Sequence, residues 1–265
     1  MSQPIPLPKR SPWTSQALVI NALLHREIAT RFGDYRLGFF WMLLEPLLSV
    51  IVIGVIIGGV LGRTVPEIPY AFFLLNGRLL LKLFVQPMNS GINAVGANQG
   101  LLVYPSVKPL DTFIARFVYE LITIFFSFTL FCSIGMLLGI ELSFADIDTL
   151  LECYLVTWIM GCGCGLIFGV ASAHVREVEK VARVLQSPLL FVSAVLAPVS
   201  ALPGDVQKLL LMNPLVHPIE LSRKALFPHY HAEGAEMMYP WIVAIILLAL
   251  GLTLFHSNRN LITQR

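Results

Sequence analysis

The sequence predicts an all-α membrane protein: six transmembrane helices, an amphipathic helix ahead of them, and short half-inserted helices before the last span. Three observations lead there. Of 265 residues, 56% are hydrophobic and only 13% charged, and the mean hydropathy of +0.76 lies outside the range of soluble domains. Six apolar segments reach the roughly 20 residues that a helix needs to cross a hydrocarbon core of about 30 Å. The basic residues divide unequally between the connections on the two sides. A net charge of +2, spread along the chain, excludes nucleic acid as a partner.

Residues 1–36 form a cytoplasmic arm. Within it "WTSQALVINALLHREIATRF" places Trp13, Ala17, Ile20, Leu24 and Ile28 on one helical stripe. Leu18, Val19 and Leu23 fall off that stripe and Arg31 falls on it. The expectation is a helix lying on the inner leaflet, the alternative a cytoplasmic arm buried on its neighbours. No uninterrupted apolar core precedes residue 37, so the first span is expected to act as its own signal.

Residues 37–265 form the membrane domain. Its spans run near Leu37–Gly62, Pro69–Pro87, Thr112–Gly139, Thr149–Ala173, Val184–Leu202 and Tyr239–His256. An even number puts both termini on one side, and eleven Lys and Arg residues on that side against four on the other place both in the cytoplasm. The cytoplasmic connection at about 88–111 is rich in Gly, Asn and Pro and has room for one short helix around Ala94–Leu102. The outer connection, about 203–238, is far longer than a hairpin needs and carries two apolar helical patterns divided by prolines. Half-inserted or interfacial helices are expected there, with Pro218 in a first helical turn.

Several chemistries are missing from the sequence. No phosphate-binding G-x-x-x-x-G-K-[ST] loop occurs, so ATP-driven work requires a separate ATPase subunit. Neither a nucleophile elbow nor an H-E-x-x-H pair is present. The four cysteines all sit in apolar segments as small buried side chains, and His217, His229 and His231 are spaced as loop histidines rather than as a metal set. No cofactor or metal is expected on this chain.

The informative residues are ionisable ones inside spans: Glu45, Arg78, Lys82, Arg116, Glu120 and Glu152. Arg116 and Glu120 share a helix face and can pair; Arg78 and Lys82 share one and cannot. At a rise of about 1.5 Å per residue, Glu45 and Glu120 lie about 12 Å, and Lys82 about 8 Å, inside the cytoplasmic boundary. A Glu45–Lys82 contact, shared with Glu120, is expected. Arg78 is left one turn further out, either in a wet path for an anionic substrate or bonded to carbonyls or headgroups. Pro46 bends the first span, Pro188 and Pro198 the fifth, and Gly161, Gly165 and Gly169 form a packing stripe.

"RFGDYRLGFFWMLLEPLL" at 31–48 resembles the first-span signature of the type-2 ABC exporter permeases. "VYPSVKPLDTFIAR" resembles that family's approach to the third span, and "NPLVHPIELSRKALFPHY" its Asn-Pro-Leu then Glu-x-x-Arg segment before the last span. The small size and the short first two outer loops are most similar to the capsular-polysaccharide export branch.

The resemblance implies a homodimeric permease in the bacterial inner membrane with two ATPase subunits beneath it; ATP and Mg bind there, not here. A coupling helix within Ala94–Tyr104 would use Asn98, Gln99, Leu101, Leu102 and Tyr104. The outer motif residues would be Asn213, Pro214, Glu220 and Arg223. The substrate would be a lipid-linked, acidic capsular polysaccharide passed to periplasmic co-polymerase and outer-membrane export proteins. A path along Arg78, Lys82, Glu45 and Glu120 could include Trp41, Phe72 and Phe73 as sugar-stacking faces, with membrane packing as the other role for these rings. Related exporters of O-antigen, teichoic acid or a small lipophilic compound are the alternative. A polytopic transferase would need a catalytic constellation that the sequence does not contain.

Overall fold

In hydrocarbon a backbone has to satisfy its own hydrogen bonds, and helices do so locally. The computed structural model describes residues 12–32, 48, 68–94, 107–175 and 177–258, and among them are eight α-helices and no strand. They are α1 (Pro12–Phe32), α2 (Tyr70–Ile92), α3 (Pro109–Leu137), α4 (Ile147–His174), α5 (Val178–Val192), α6 (Gly204–Leu211), α7 (Val216–Leu226) and α8 (Met238–Ser257). Among the described residues α2, α3, α4 and α8 are long and apolar enough to cross a bilayer. The expected first span, with Trp41, Glu45 and Pro46, lies outside the described residues.

Helix α4 sits at the centre, against α2 on one side and α8 on another. Glycines make both contacts close. A Cβ at Gly161 would stand 2.7 Å from the Phe84 carbonyl oxygen, one at Gly165 would meet the Pro87 carbonyl, and one at Gly91 would strike the Gly165 backbone. The predicted stripe is therefore a packing seam with α2. A second seam runs on the other face, where Gly163 meets the backbone of Leu247 and Leu248.

The ends of α2 and α3 differ from expectation. Helix α2 continues through Pro87 to Ile92, and α3 begins at Pro109, so the connection is shorter than about 88–111. Proline at the first helical position has no donor to waste, and the Lys108 amide donates to Asp111 Oδ2 at 2.9 Å. Asp111 also complements the positive helix end. The 29 residues of α3 span about 43 Å, against a hydrocarbon core of about 30 Å. The excess can be shared between its two ends or taken up by tilt.

The expected fifth span, Val184–Leu202, is not one helix. Helix α5 ends at Val192, Ala194 takes a left-handed φ of 54°, and a 3-10 turn occupies Val199–Ala201. Two short helices follow, α6 and α7, in the region where half-inserted helices are expected, with Pro218 in the first turn of α7.

Candidate functional site

Two polar clusters stand out in this apolar bundle. The first joins α1 to α2 and α3. Glu27 and Arg31 lie four apart on α1, Arg116 and Glu120 four apart on α3, with the charge order reversed. Side by side in parallel they form two ion pairs: Arg116 Nε to Glu27 Oε2 at 3.3 Å and Arg31 Nη1 to Glu120 Oε1 at 2.9 Å. Arg31 Nε also donates to Glu27 at 3.0 Å and its guanidinium lies 4.4 Å over the Tyr119 ring.

Helix α2 completes the cluster through one residue. Ser90 Oγ donates to Glu120 at 2.6 Å and accepts from Arg31 at 3.4 Å, while its carbonyl accepts from Arg116 Nη1 at 3.2 Å. Nearer the N-terminal end of both helices Gln16 donates to Asp111, the capping residue of α3. Burial opposes the charge on Arg31, yet the Glu120 and Glu27 carboxylates outweigh it and hold the guanidinium above its ordinary pKa. Two cations and two anions leave the cluster formally neutral.

The face of α1 that packs on the bundle centres on buried Leu23, with Gln16, Val19, Ile20, Leu24, Glu27 and Ile28 half-buried, while Trp13 and Ala17 at the start of the expected stripe are exposed. The polar members of that face are paired, which apolar periodicity does not register. Glu120, expected in a layer with Glu45 and Lys82, is engaged by Arg31 and Ser90, and Arg116 pairs with Glu27; Glu45 lies outside the described residues.

The second cluster surrounds Arg223, which is fully buried. Its guanidinium donates to the Ala194 carbonyl at 2.8 Å, the Val195 carbonyl at 3.0 Å and Glu220 Oε1 at 2.9 Å, and it stacks 3.6 Å from the Phe73 ring centroid. Tyr230 donates to the other Glu220 oxygen at 2.7 Å; burial and that carboxylate push the phenol up, so it remains a donor. Gly77 makes room, since a Cβ there would lie 2.6 Å from Arg223 Nη2. Beside it Asn76 donates to Ser222 at 2.9 Å.

Arg223 therefore pins the unwound segment after α5. The carbonyls that a continuous helix would have satisfied are taken by a built-in cation. Asn213 holds the same break from the other side: its amide donates to the Val192 carbonyl and Ser193 Oγ, both at 3.1 Å, and its oxygen accepts from the Leu215 amide at 3.0 Å. Pro214 follows Asn213 in the turn before α7. Together these contacts hold Ala194 at a backbone angle that costs an L-residue about 1–2 kcal/mol.

Residues 19–227, which carry both clusters apart from Gln16 and Tyr230, match the family model described as ABC-2 type transporter. The chain belongs to that family. The match is also long against individual members. The chain is 38% identical to the polysialic acid transport protein KpsM of Escherichia coli, across 95% of this chain and 97% of that protein. It is 29% identical to the capsule polysaccharide export inner-membrane protein CtrC of Neisseria meningitidis across 89% of both, and 27% identical to the inner-membrane protein BexB of Haemophilus influenzae across 90% of both. Like those members of the ABC-2 family, the chain is a transport permease and not an enzyme.

The remaining candidate residues of this ABC-2 permease divide by place. Arg78 and Lys82 are half-buried on α2, and Arg78 makes no hydrogen bond or ion pair with a described residue. Phe72 and Phe73 do not offer sugar-stacking faces. Phe72 packs on Phe131 at 5.2 Å, and Phe73 is fully buried between Arg223 and Tyr230. Asn98, Gln99, Leu101, Leu102 and Tyr104 lie outside the described residues. Glu152 accepts from Trp241 Nε1 at 2.7 Å, which ties the N-terminal part of α4 to that of α8. Among the described residues no group of His, Cys, Asp and Glu could hold a metal. His217 is buried, bonded to the Leu211 carbonyl and to the Glu236 amide.

Sequence reasoning did not pick out Glu27, Arg31, Ser90, Asn76, Gly77 or Tyr230. For the first two a signal existed: an E-x-x-x-R on α1 complements the R-x-x-x-E on α3.

Proposed function

We propose that the chain is the membrane subunit of an ABC exporter that moves a lipid-linked, acidic capsular polysaccharide across the inner membrane. The observation that carries this reading is end-to-end similarity to a protein named for polysialic acid transport, KpsM, at 38% identity over 95% of the chain, together with CtrC and BexB, which are named for capsule polysaccharide export. ATP and Mg act in a partner ATPase. Six spans with both termini in the cytoplasm follow from the hydropathy and the eleven-to-four division of basic residues. On that reading α5 and the turns to Leu202 reach the outer leaflet, and α6 and α7 are half-inserted.

The unit is a homodimer over two ATPase subunits, which delivers polymer to periplasmic co-polymerase and outer-membrane export proteins. The coupling helix within Ala94–Tyr104 lies on the ATPase. Ser90 and Asp111 flank that segment, and both bond to α1 or to the residues that hold it. A push on the segment is therefore delivered to α1, α2 and α3 as one body, while the Arg223 pin keeps the outer break fixed on α2. Arg78, half-buried and without a described partner, faces the path of the acidic polymer.

Deleting the chain in its own host, with the ATPase and the polymerising enzymes left in place, should trap the polymer in the cytoplasm. Re-expression should return it to the surface. Polymer at the surface without the chain would remove the reading.

A further inference from the structure

Helices α3, α4 and α8 enclose a groove that neither cluster uses. It is a cavity of about 210 Å³, lined by Phe113 and Phe117 of α3, Trp158 and Cys162 of α4, and Leu248 and Leu252 of α8, among others. On α3 the lining extends from Leu110 to Val118, about 12 Å of helix. The one ring nitrogen among the lining side chains is turned away: Trp158 Nε1 donates to the Phe117 carbonyl at 2.9 Å. The Cys162 thiol is buried and free. Nothing polar is offered to a sugar or to water.

The cytoplasmic end of the groove is different. Lys108, exposed, immediately precedes α3 and stands two residues before lining Leu110. His256, also exposed, follows Phe255, whose ring meets Phe113 at 5.6 Å. A cation and an imidazole thus flank the mouth of an apolar slot, with the depth of the slot running into the membrane.

We propose that this groove binds one acyl chain of an anionic phospholipid of the inner leaflet, with the lipid phosphate at Lys108 and His256. The charge at the mouth selects the headgroup, since a Lys or Arg near the surface contributes about 1 kcal/mol towards an anionic lipid, a factor of about five. The slot selects a flexible hydrocarbon chain over a glycan. The membrane orientation proposed above decides only which leaflet supplies the lipid. A bound lipid would fill the space between the last span and the third, the helix clamped to α1.

Trp158 is the reporter. With Trp13, Trp41 and Trp241 replaced by Phe, the full chain co-purified with its ATPase is reconstituted in nanodiscs containing lipid brominated on the acyl chain. Brominated phosphatidylglycerol should quench Trp158 with about fivefold higher affinity than brominated phosphatidylcholine. Lys108→Gln with His256→Gln, both exposed positions, should bring the two lipids level. Native mass spectrometry of the unmodified chain, with its partner, provides a second reading: phosphatidylglycerol retained in preference to phosphatidylcholine. Equal quenching by both lipids would reduce the groove to ordinary lipid contact, and no quenching by either would mean that a protein surface such as a second copy covers it. Either result overturns the proposal.

Discussion

Reversing Glu120 to Arg tests the clamp between α1 and α3. Glu120 is 3% exposed, and the substitution would set a new guanidinium beside Arg31 and Arg116 with only Glu27 to balance three cations. Breaking a buried pair in this way costs about 3–5 kcal/mol, on the order of 6–20 °C in the unfolding midpoint for a chain of this size. Arg31→Glu alone should cost less, about 1–2 kcal/mol, because Arg31 is 36% exposed and solvent screens it.

The double variant, Arg31→Glu with Glu120→Arg, restores opposite charges across the same parallel register. Ser90 tolerates the exchange because its hydroxyl both donates and accepts. It should recover about 1–3 kcal/mol relative to the sum of the two single losses. The assay is a double-mutant cycle on the thermal midpoint of the purified chain, with export measured in parallel. If the double variant loses as much as the two singles added together, Arg31 and Glu120 are not an energetic pair and the clamp is wrong.

Further outcomes can be checked independently. Arg223→Lys should lower stability by about 3–5 kcal/mol, since one ammonium cannot reach the Ala194 and Val195 carbonyls and Glu220 together; an unchanged midpoint would deny the pin. Gly91→Ala should block the α2–α4 approach and lower the yield of folded protein in the membrane, because the added carbon strikes the Gly165 backbone; wild-type yield would show that the helices separate freely. Arg78→Glu should impair export of an acidic polymer while insertion and ATPase binding persist, and normal export would take Arg78 out of the path. Replacing residues 99–102 with a Gly/Ser stretch should uncouple ATP hydrolysis from export, and unchanged coupling would move the ATPase contact elsewhere.

Much of the fold can be read from the sequence because the bilayer imposes a single rule, about 20 apolar residues per crossing. The bounds of α4 and α8, the Gly161–Gly165–Gly169 seam and the burial of Cys132, Cys153 and Cys162 all follow from hydropathy and side-chain size. The break after α5 was less legible. Its apolar run is unbroken, and what stops the helix is a set of contacts from Asn213 and Arg223, twenty and more residues away. The Glu-x-x-Arg spacing pointed to those residues through family resemblance, but not to their task.

The partners of Glu120 were less legible for a related reason. Depth along separate helices ranks Glu120 with Lys82, yet pairing depends on which helices touch, and α1 supplies Arg31 and Glu27 to α3 from outside the apolar spans. Likewise Phe73 looked available for a sugar on residue type alone. Its ring is the floor on which Arg223 rests.

The most direct test of the account is transport by purified components. The chain and its ATPase, reconstituted in vesicles with the ATPase side outward, should carry labelled lipid-linked acidic glycan into the lumen when ATP is added, and should stop when the ATPase is inactivated. Glycan entry that is independent of ATP, or ATP hydrolysis without any entry in the presence of intact substrate, would contradict it.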